Sequence, residues 1–140
     1  MKNLVKSFYT EKQFTCLKND IAEFLGDFEG DGLLNIYTKH TTCAIKILEN
    51  ELLLLADINR FLDKTFPKDG DYMHDRIEIR DVPASERING YSHMRQLFLS
   101  TSECIPVIAG KPQLGTWQTP FLIELDPARN REVVFSLVSG

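Results

Sequence analysis

The chain has 140 residues and a formal net charge of −4 at pH 7. That length suits one domain with a core of ordinary size, and the acidic balance argues against a general nucleic-acid binder, which would carry a basic stripe. Cys16, Cys43 and Cys104 form no CxxC pair and suit a reducing cytoplasm. The N-terminus lacks a signal-peptide apolar stretch, and the longest apolar run, Leu52 to Ala56, is far short of the ~20 residues of a membrane span.

Leu4 to Tyr9 alternates imperfectly and predicts a first strand. Asn19 or Asp20 can cap a short helix that places Ile21, Phe24, Leu25 and Phe28 on one face; Gly26 and Gly30-Asp31-Gly32 end it. Leu33 to Thr38 reads as a strand, with Cys43 to Leu48 as its expected antiparallel partner. Glu49 to Phe66 predicts the longest helix, with a broad apolar face, stopped by Pro67.

Lys68 to Arg87 is polar and predicts a mostly irregular loop of the length that tends to carry function. Ser92 to Leu99 follows as a short helix. Glu103 to Ile108 is a strand, Ala109 to Pro112 a turn, and Gln113 to Trp117 the expected return strand. Phe121 to Leu125 and Glu132 to Val138 are expected to pair across Asp126 to Asn130. This order indicates an α+β fold, one domain over residues 1–140 with a largely antiparallel sheet, and not a parallel α/β fold.

All three histidines lie in polar clusters: Lys39-His40-Thr41-Thr42, Tyr72-Met73-His74-Asp75-Arg76 and Asn89-Gly90-Tyr91-Ser92-His93. Three neutral imidazoles brought together would suit an open divalent-metal site; kept apart, they are surface or capping residues. Thr41 and Thr42 can donate to a phosphate, and Glu49 can act as a general base, although threonines also favour strands and glutamates favour helix N-termini. Asp75 can orient His74, join it as a ligand, or form a solvated pair with it. In Leu114-Gly115-Thr116-Trp117-Gln118 the only Trp suggests either a pocket wall or a packed strand. Arg129 can clamp a phosphate or lie on the surface. No P-loop, nucleophile elbow or dinucleotide fingerprint is present.

Taken together, His40-Thr41-Thr42, Glu49-Asn50-Glu51, Tyr72-Met73-His74-Asp75, Asn89 with His93, Ser102 to Val107, Gly110 and Leu114 to Gln118 resemble the YjbQ family in order and spacing. That family is also called the secondary thiamine-phosphate synthase-like proteins. The resemblance runs from about Val5 to the C-terminus. It implies an antiparallel β-sandwich-like core with flanking helices, a homotrimer, and a weak thiamine-phosphate synthase activity in some members. It maps the family's recurrent histidines onto His40, His74 and His93 and implies a metal or anion site there, the metal being divalent, zinc before magnesium. Leu52 and Tyr91 depart from the family pattern, standing where many relatives carry acidic residues.

The expected function is that of a small cytoplasmic transferase acting on a phosphorylated small molecule. A thiamine-phosphate synthase would join a pyrimidine diphosphate to a thiazole phosphate and release pyrophosphate. Arg95 or Arg129 would hold the anion, Trp117 would stack a ring beside Thr116 and Gln118, and Glu49 or Asp75 would accept a proton. The alternatives are a metal- or metabolite-binding trimer without substantial turnover, and a metal-dependent hydrolase.

Overall fold

The computed structural model describes all residues, Met1–Gly140. Eight strands and three helices follow one another as β1 (Lys2–Tyr9), β2 (Phe14–Cys16), α1 (Lys18–Leu25), β3 (Gly32–Thr38), β4 (Cys43–Leu48), α2 (Leu52–Thr65), α3 (Gly90–Phe98), β5 (Ser102–Ile108), β6 (Lys111–Pro112), β7 (Thr119–Glu124) and β8 (Asn130–Ser139). The strands form two antiparallel sheets, ordered β1-β8-β3-β5-β6 and β2-β7-β4. This is the expected α+β sandwich-like fold. No helix is long and apolar enough to cross a membrane.

The larger sheet turns alternate residues inward, Leu34 and Ile36 from β3 and Val133, Phe135 and Leu137 from β8. They meet Cys43, Ile45 and Leu122 of the smaller sheet and Ile21, Phe24 and Leu25 of α1 in one buried cluster. The opposite face of the smaller sheet, through Ala44, Phe121 and Ile123, packs on Leu62 of α2. The smaller sheet is therefore covered on both faces, and all six residues of β7 are buried.

That layering corrects two expected pairings. Strand β4 does not pair with β3; it pairs with β7, with Ile45 opposite Leu122, while β3 lies between β8 and β5. Likewise β7 does not pair with β8. The short connections at 39–42 and 125–129 are corners between sheets and not hairpins. Cys43, Ala44 and Ile45 are consecutive and completely buried, as a strand covered on both faces requires.

Three local expectations also change. Helix α1 starts at Lys18 behind the fully buried Leu17, and neither Asn19 nor Asp20 caps it; Asp20 instead pairs with Lys6 at 2.7 Å. Packing of Leu17 sets that helix start. Helix α2 begins at Leu52, because the Glu51 carboxylate accepts from the Leu53 and Leu54 N–H groups. The strand after β5 is only Lys111–Pro112, since Gln113 onward leaves the ladder. Ala109 and Gly110, at φ 47° and 74°, make the tight turn before it. The polar loop holds two single-turn 3₁₀ segments, Met73–Asp75 and Ile77–Ile79.

Candidate functional site

The sheet-to-sheet corner after β3, the 3₁₀ segments, the start of α3 and the β7–β8 corner surround one open cleft of about 460 Å³. His40, His74 and His93 all line it, with Thr41, Thr42 and Arg129. Lys39, Arg80, Arg87, Asn89 and Arg131 complete most of the wall, and no apolar residue contributes. A cleft so lined has donors and positive charge to offer, and no Trp, Tyr or Phe.

Each imidazole is set differently. The His74 and His93 rings meet edge-to-face with centroids 4.5 Å apart. Burial holds His93 below its ordinary pKa, and the neighbouring His74 pushes the same way. His74 is fixed from behind: Arg80 donates to its backbone carbonyl at 2.8 Å, and Asp75 Oδ1 accepts from the Gly90 N–H at 2.7 Å, tying the 3₁₀ turn to the start of α3. A β-carbon at Gly90 would come within 2.6 Å of Tyr72 Cβ, so the close approach needs a glycine.

His40 stands apart from that pair. Its Nε2 accepts from the Glu132 N–H at 2.9 Å, just where the β3–β8 ladder ends at Thr38 opposite Val133. Burial, and then the charge of Arg131, lower its pKa. With Nε2 occupied, the three imidazoles are not a free ligand set, and no three His, Cys, Asp or Glu side chains gather to hold a metal ion. The residues of one chain thus do not fit a three-histidine zinc centre.

Under the cleft lies a buried polar bridge between the sheets. Arg131 of β8 donates through Nε to Glu124 of β7 at 2.8 Å and through Nη2 to Thr42 Oγ1 at 2.8 Å. Both charged side chains are 3% exposed. Burial is the largest influence on the Arg131 charge and works against it, but the bond to Glu124 and the negative charge of Glu124, Asp126 and Cys43 together outweigh burial, so its pKa is raised. Thr10 donates to Glu124 and accepts from the Arg129 N–H at 3.1 Å. Arg129 also pairs with Asp126, whose carboxylate accepts from Asn89 Nδ2 at 2.9 Å. Arg80 forms no ion pair and is the cleft cation least neutralised by the chain itself; Lys39, by contrast, pairs with Glu132 at 2.8 Å.

Several expected site residues lie elsewhere. Arg95 is buried away from the cleft, donating to the Phe66 carbonyl and to Asp63, with its guanidinium 5.0 Å from the Tyr91 ring centre. Glu49 is exposed before α2 and outside the cleft lining. Thr116 borders a separate groove beside α1. Gln118 closes its own turn by accepting from the Gly115 N–H. Trp117 is 73% exposed and lines neither groove. Sequence reading overlooked Arg80, Arg87 and Arg131. Arg131 carried a signal: it shares the inward phase of Val133, Phe135 and Leu137, and a charge at such a position needs a partner.

The family model described as UPF0047 protein YjbQ-like matches residues 5–140. A UPF0047 protein of Methanothermobacter thermautotrophicus is 42% identical over 107 residues, 76% of this chain and 68% of that protein. One of Archaeoglobus fulgidus is 39% identical, over 74% of this chain and 75% of its own. Among solved structures, the hypothetical protein APE1520 of Aeropyrum pernix K1 aligns over all of both chains with a TM-score of 0.87 and 28% identity. A YjbQ/UPF0047 protein of Clostridium acetobutylicum aligns over 96% of this chain and 99% of its own, with a TM-score of 0.82 and 29% identity.

Proposed function

The chain belongs to the UPF0047 YjbQ-like family, and from that premise we propose that its histidine- and arginine-lined cleft binds a small phosphorylated molecule. The observation that carries this reading is the lining itself: five cationic side chains against the single carboxylate of Glu86, with two threonines, an asparagine and the three histidines, and no apolar residue. Arginine forks and hydroxyls match phosphate oxygens in geometry and charge. Titration with inorganic pyrophosphate tests it. Saturable binding that weakens with salt is expected, and no binding would contradict it.

A transferase of the thiamine-phosphate synthase type is the second reading. It is supported by His93, kept neutral beside His74 and suited to accept a proton, and by cations able to hold a departing pyrophosphate. With no Trp, Tyr or Phe in the lining, a heteroaromatic ring would have only imidazole and guanidinium planes to stack on. Kinetics separates the two: an efficiency near ~10⁴ M⁻¹s⁻¹ marks an enzyme, and a value many decades lower with tight ligand binding marks a binding protein.

We also propose a homo-oligomer, a trimer as the family resemblance implies. Support comes from the uncovered outer face of the larger sheet, where exposed Val5, Leu33, Tyr37 and Val138 lie on β1, β3 and β8. Glu132 shares that outward phase and reaches the cleft through Lys39 and His40. Association through this face would set the cleft beside a subunit boundary. Sedimentation at micromolar concentration tests it, and a stable monomer would count against it.

A further inference from the structure

We infer that His40 is an anion donor and not a metal ligand: the Glu132 amide holds its imidazole as the Nδ1–H tautomer, and that N–H serves a phosphate oxygen in the cleft. This assignment rests on the phosphate reading of the same cleft.

A neutral imidazole has one ring lone pair available in the ring plane and one N–H. In His40 the lone pair is at Nε2, taken by the Glu132 N–H at 2.9 Å, so the proton resides on Nδ1. The contact is built into the fold. Strand β3 leaves β8 after Thr38 opposite Val133, so Glu132, paired with Ser7 of β1 on its other side, has no residue of β3 opposite its amide. The His40 side chain takes that place. Metal ligation through Nε2 would strip the amide of its acceptor, and ligation through Nδ1 would require loss of the ring proton.

The charges around the ring agree. Arg131 and Lys39 both act on His40 as positive neighbours; a divalent cation at the ring would meet them, whereas an anion would be drawn by them. Glu132 and Glu124 are already committed to Lys39 and Arg131. No group of the chain accepts from Nδ1, and His40 lines the cleft with Thr41 and Thr42. The ligand class that fits is a phosphate ester or diphosphate whose oxygen accepts from Nδ1–H while Arg80 balances its charge.

The test is ring-nitrogen NMR on the ¹⁵N-labelled full chain at about pH 8, where unperturbed imidazoles are neutral, titrated with inorganic pyrophosphate in EDTA and separately with zinc. The expected result is an Nδ1–H tautomer at His40, a pyrophosphate-dependent shift of that nitrogen without metal, and no shift of His40 with zinc. His40→Ala should weaken pyrophosphate binding roughly tenfold or more. His40→Gln, which keeps an acceptor for the amide and a donor for the anion, should stay within about threefold. An Nε2–H tautomer, zinc-bound shifts at His40, or pyrophosphate binding that leaves His40 untouched would overturn the assignment while the phosphate reading stands. Failure of pyrophosphate to bind the wild-type cleft at all would overturn both.

Discussion

Arg131 and Glu124 form a buried ion pair that joins the two sheets directly beneath the cleft, with Arg131 Nε 2.8 Å from Glu124 Oε2. Neither charge is left over: Thr42 and Thr10 take the remaining bonds on either side. The network supports the cleft wall through Thr42 and, by way of Thr10, through the backbone of Arg129.

Breaking that pair from one side strands a buried charge. Glu124→Ala or Arg131→Ala should cost about 3–5 kcal/mol of stability, measured by urea unfolding. Replacing both with apolar residues of similar volume should cost less than either single change. A single variant unfolding like the wild type would show the bridge to be energetically idle.

Asp75 should behave as a positioning residue. Its carboxylate accepts from the Gly90 N–H and so ties the 3₁₀ turn that carries His74 to the start of α3. Asp75→Asn retains an acceptor and should keep both stability and pyrophosphate affinity near wild type. Asp75→Ala should lose about 1–3 kcal/mol. If Asp75→Asn instead abolished a measured turnover while leaving stability intact, a proton-accepting role would be restored to it.

Stability should rise with pH through the range just below 6.5. His40 and His93 have folded pKa values below the ordinary 6.5. Between their folded values and 6.5, the unfolded chain therefore binds more protons than the folded one. Unfolding free energy then increases with pH across that window and flattens above it. Thermal melts from acid to neutral pH should show this slope, and the His40→Gln, His93→Gln double variant should reduce it. A slope of opposite sign would contradict the burial of these rings.

Trp117 carries a different expectation from the one its sequence motif invites. At 73% exposure it is neither core nor cleft wall in the chain. Trp117→Phe should change stability by no more than about 0.5 kcal/mol, and pyrophosphate should leave the emission of the monomeric chain unchanged. Unfolding of the variant would place the indole in a packed environment after all.

The fold was largely legible because the strands carry their burial in their sequence. Leu33 to Thr38 and Glu132 to Val138 read as strands, and the larger sheet uses both, burying alternate residues along them. Pairing was less legible. A four-residue connection such as Lys39 to Thr42 suits a hairpin as well as a corner, and only the full burial of Cys43, Ala44 and Ile45 separates them. At the site, the three histidines were visible as motifs, but their unequal roles were not. His40 is committed by a backbone amide 92 positions away, a contact that no local pattern encodes. Arg95 and Glu49 have side-chain types that suit anion binding or proton transfer, yet Arg95 is spent on Asp63 and Phe66, and Glu49 lies away from the cleft.

The most direct measurement is calorimetric titration of pyrophosphate into the wild-type chain and into Arg80→Ala, both in EDTA. Arg80 lines the cleft without a carboxylate partner, and its one bond within the chain is to the His74 carbonyl, so its loss should remove binding energy at a cost to stability of about one hydrogen bond. Saturable wild-type binding that weakens roughly tenfold or more in Arg80→Ala, with the variant still folding cooperatively, is the predicted result. Equal affinity in the two proteins, or no heat in either, would contradict a phosphate-binding cleft.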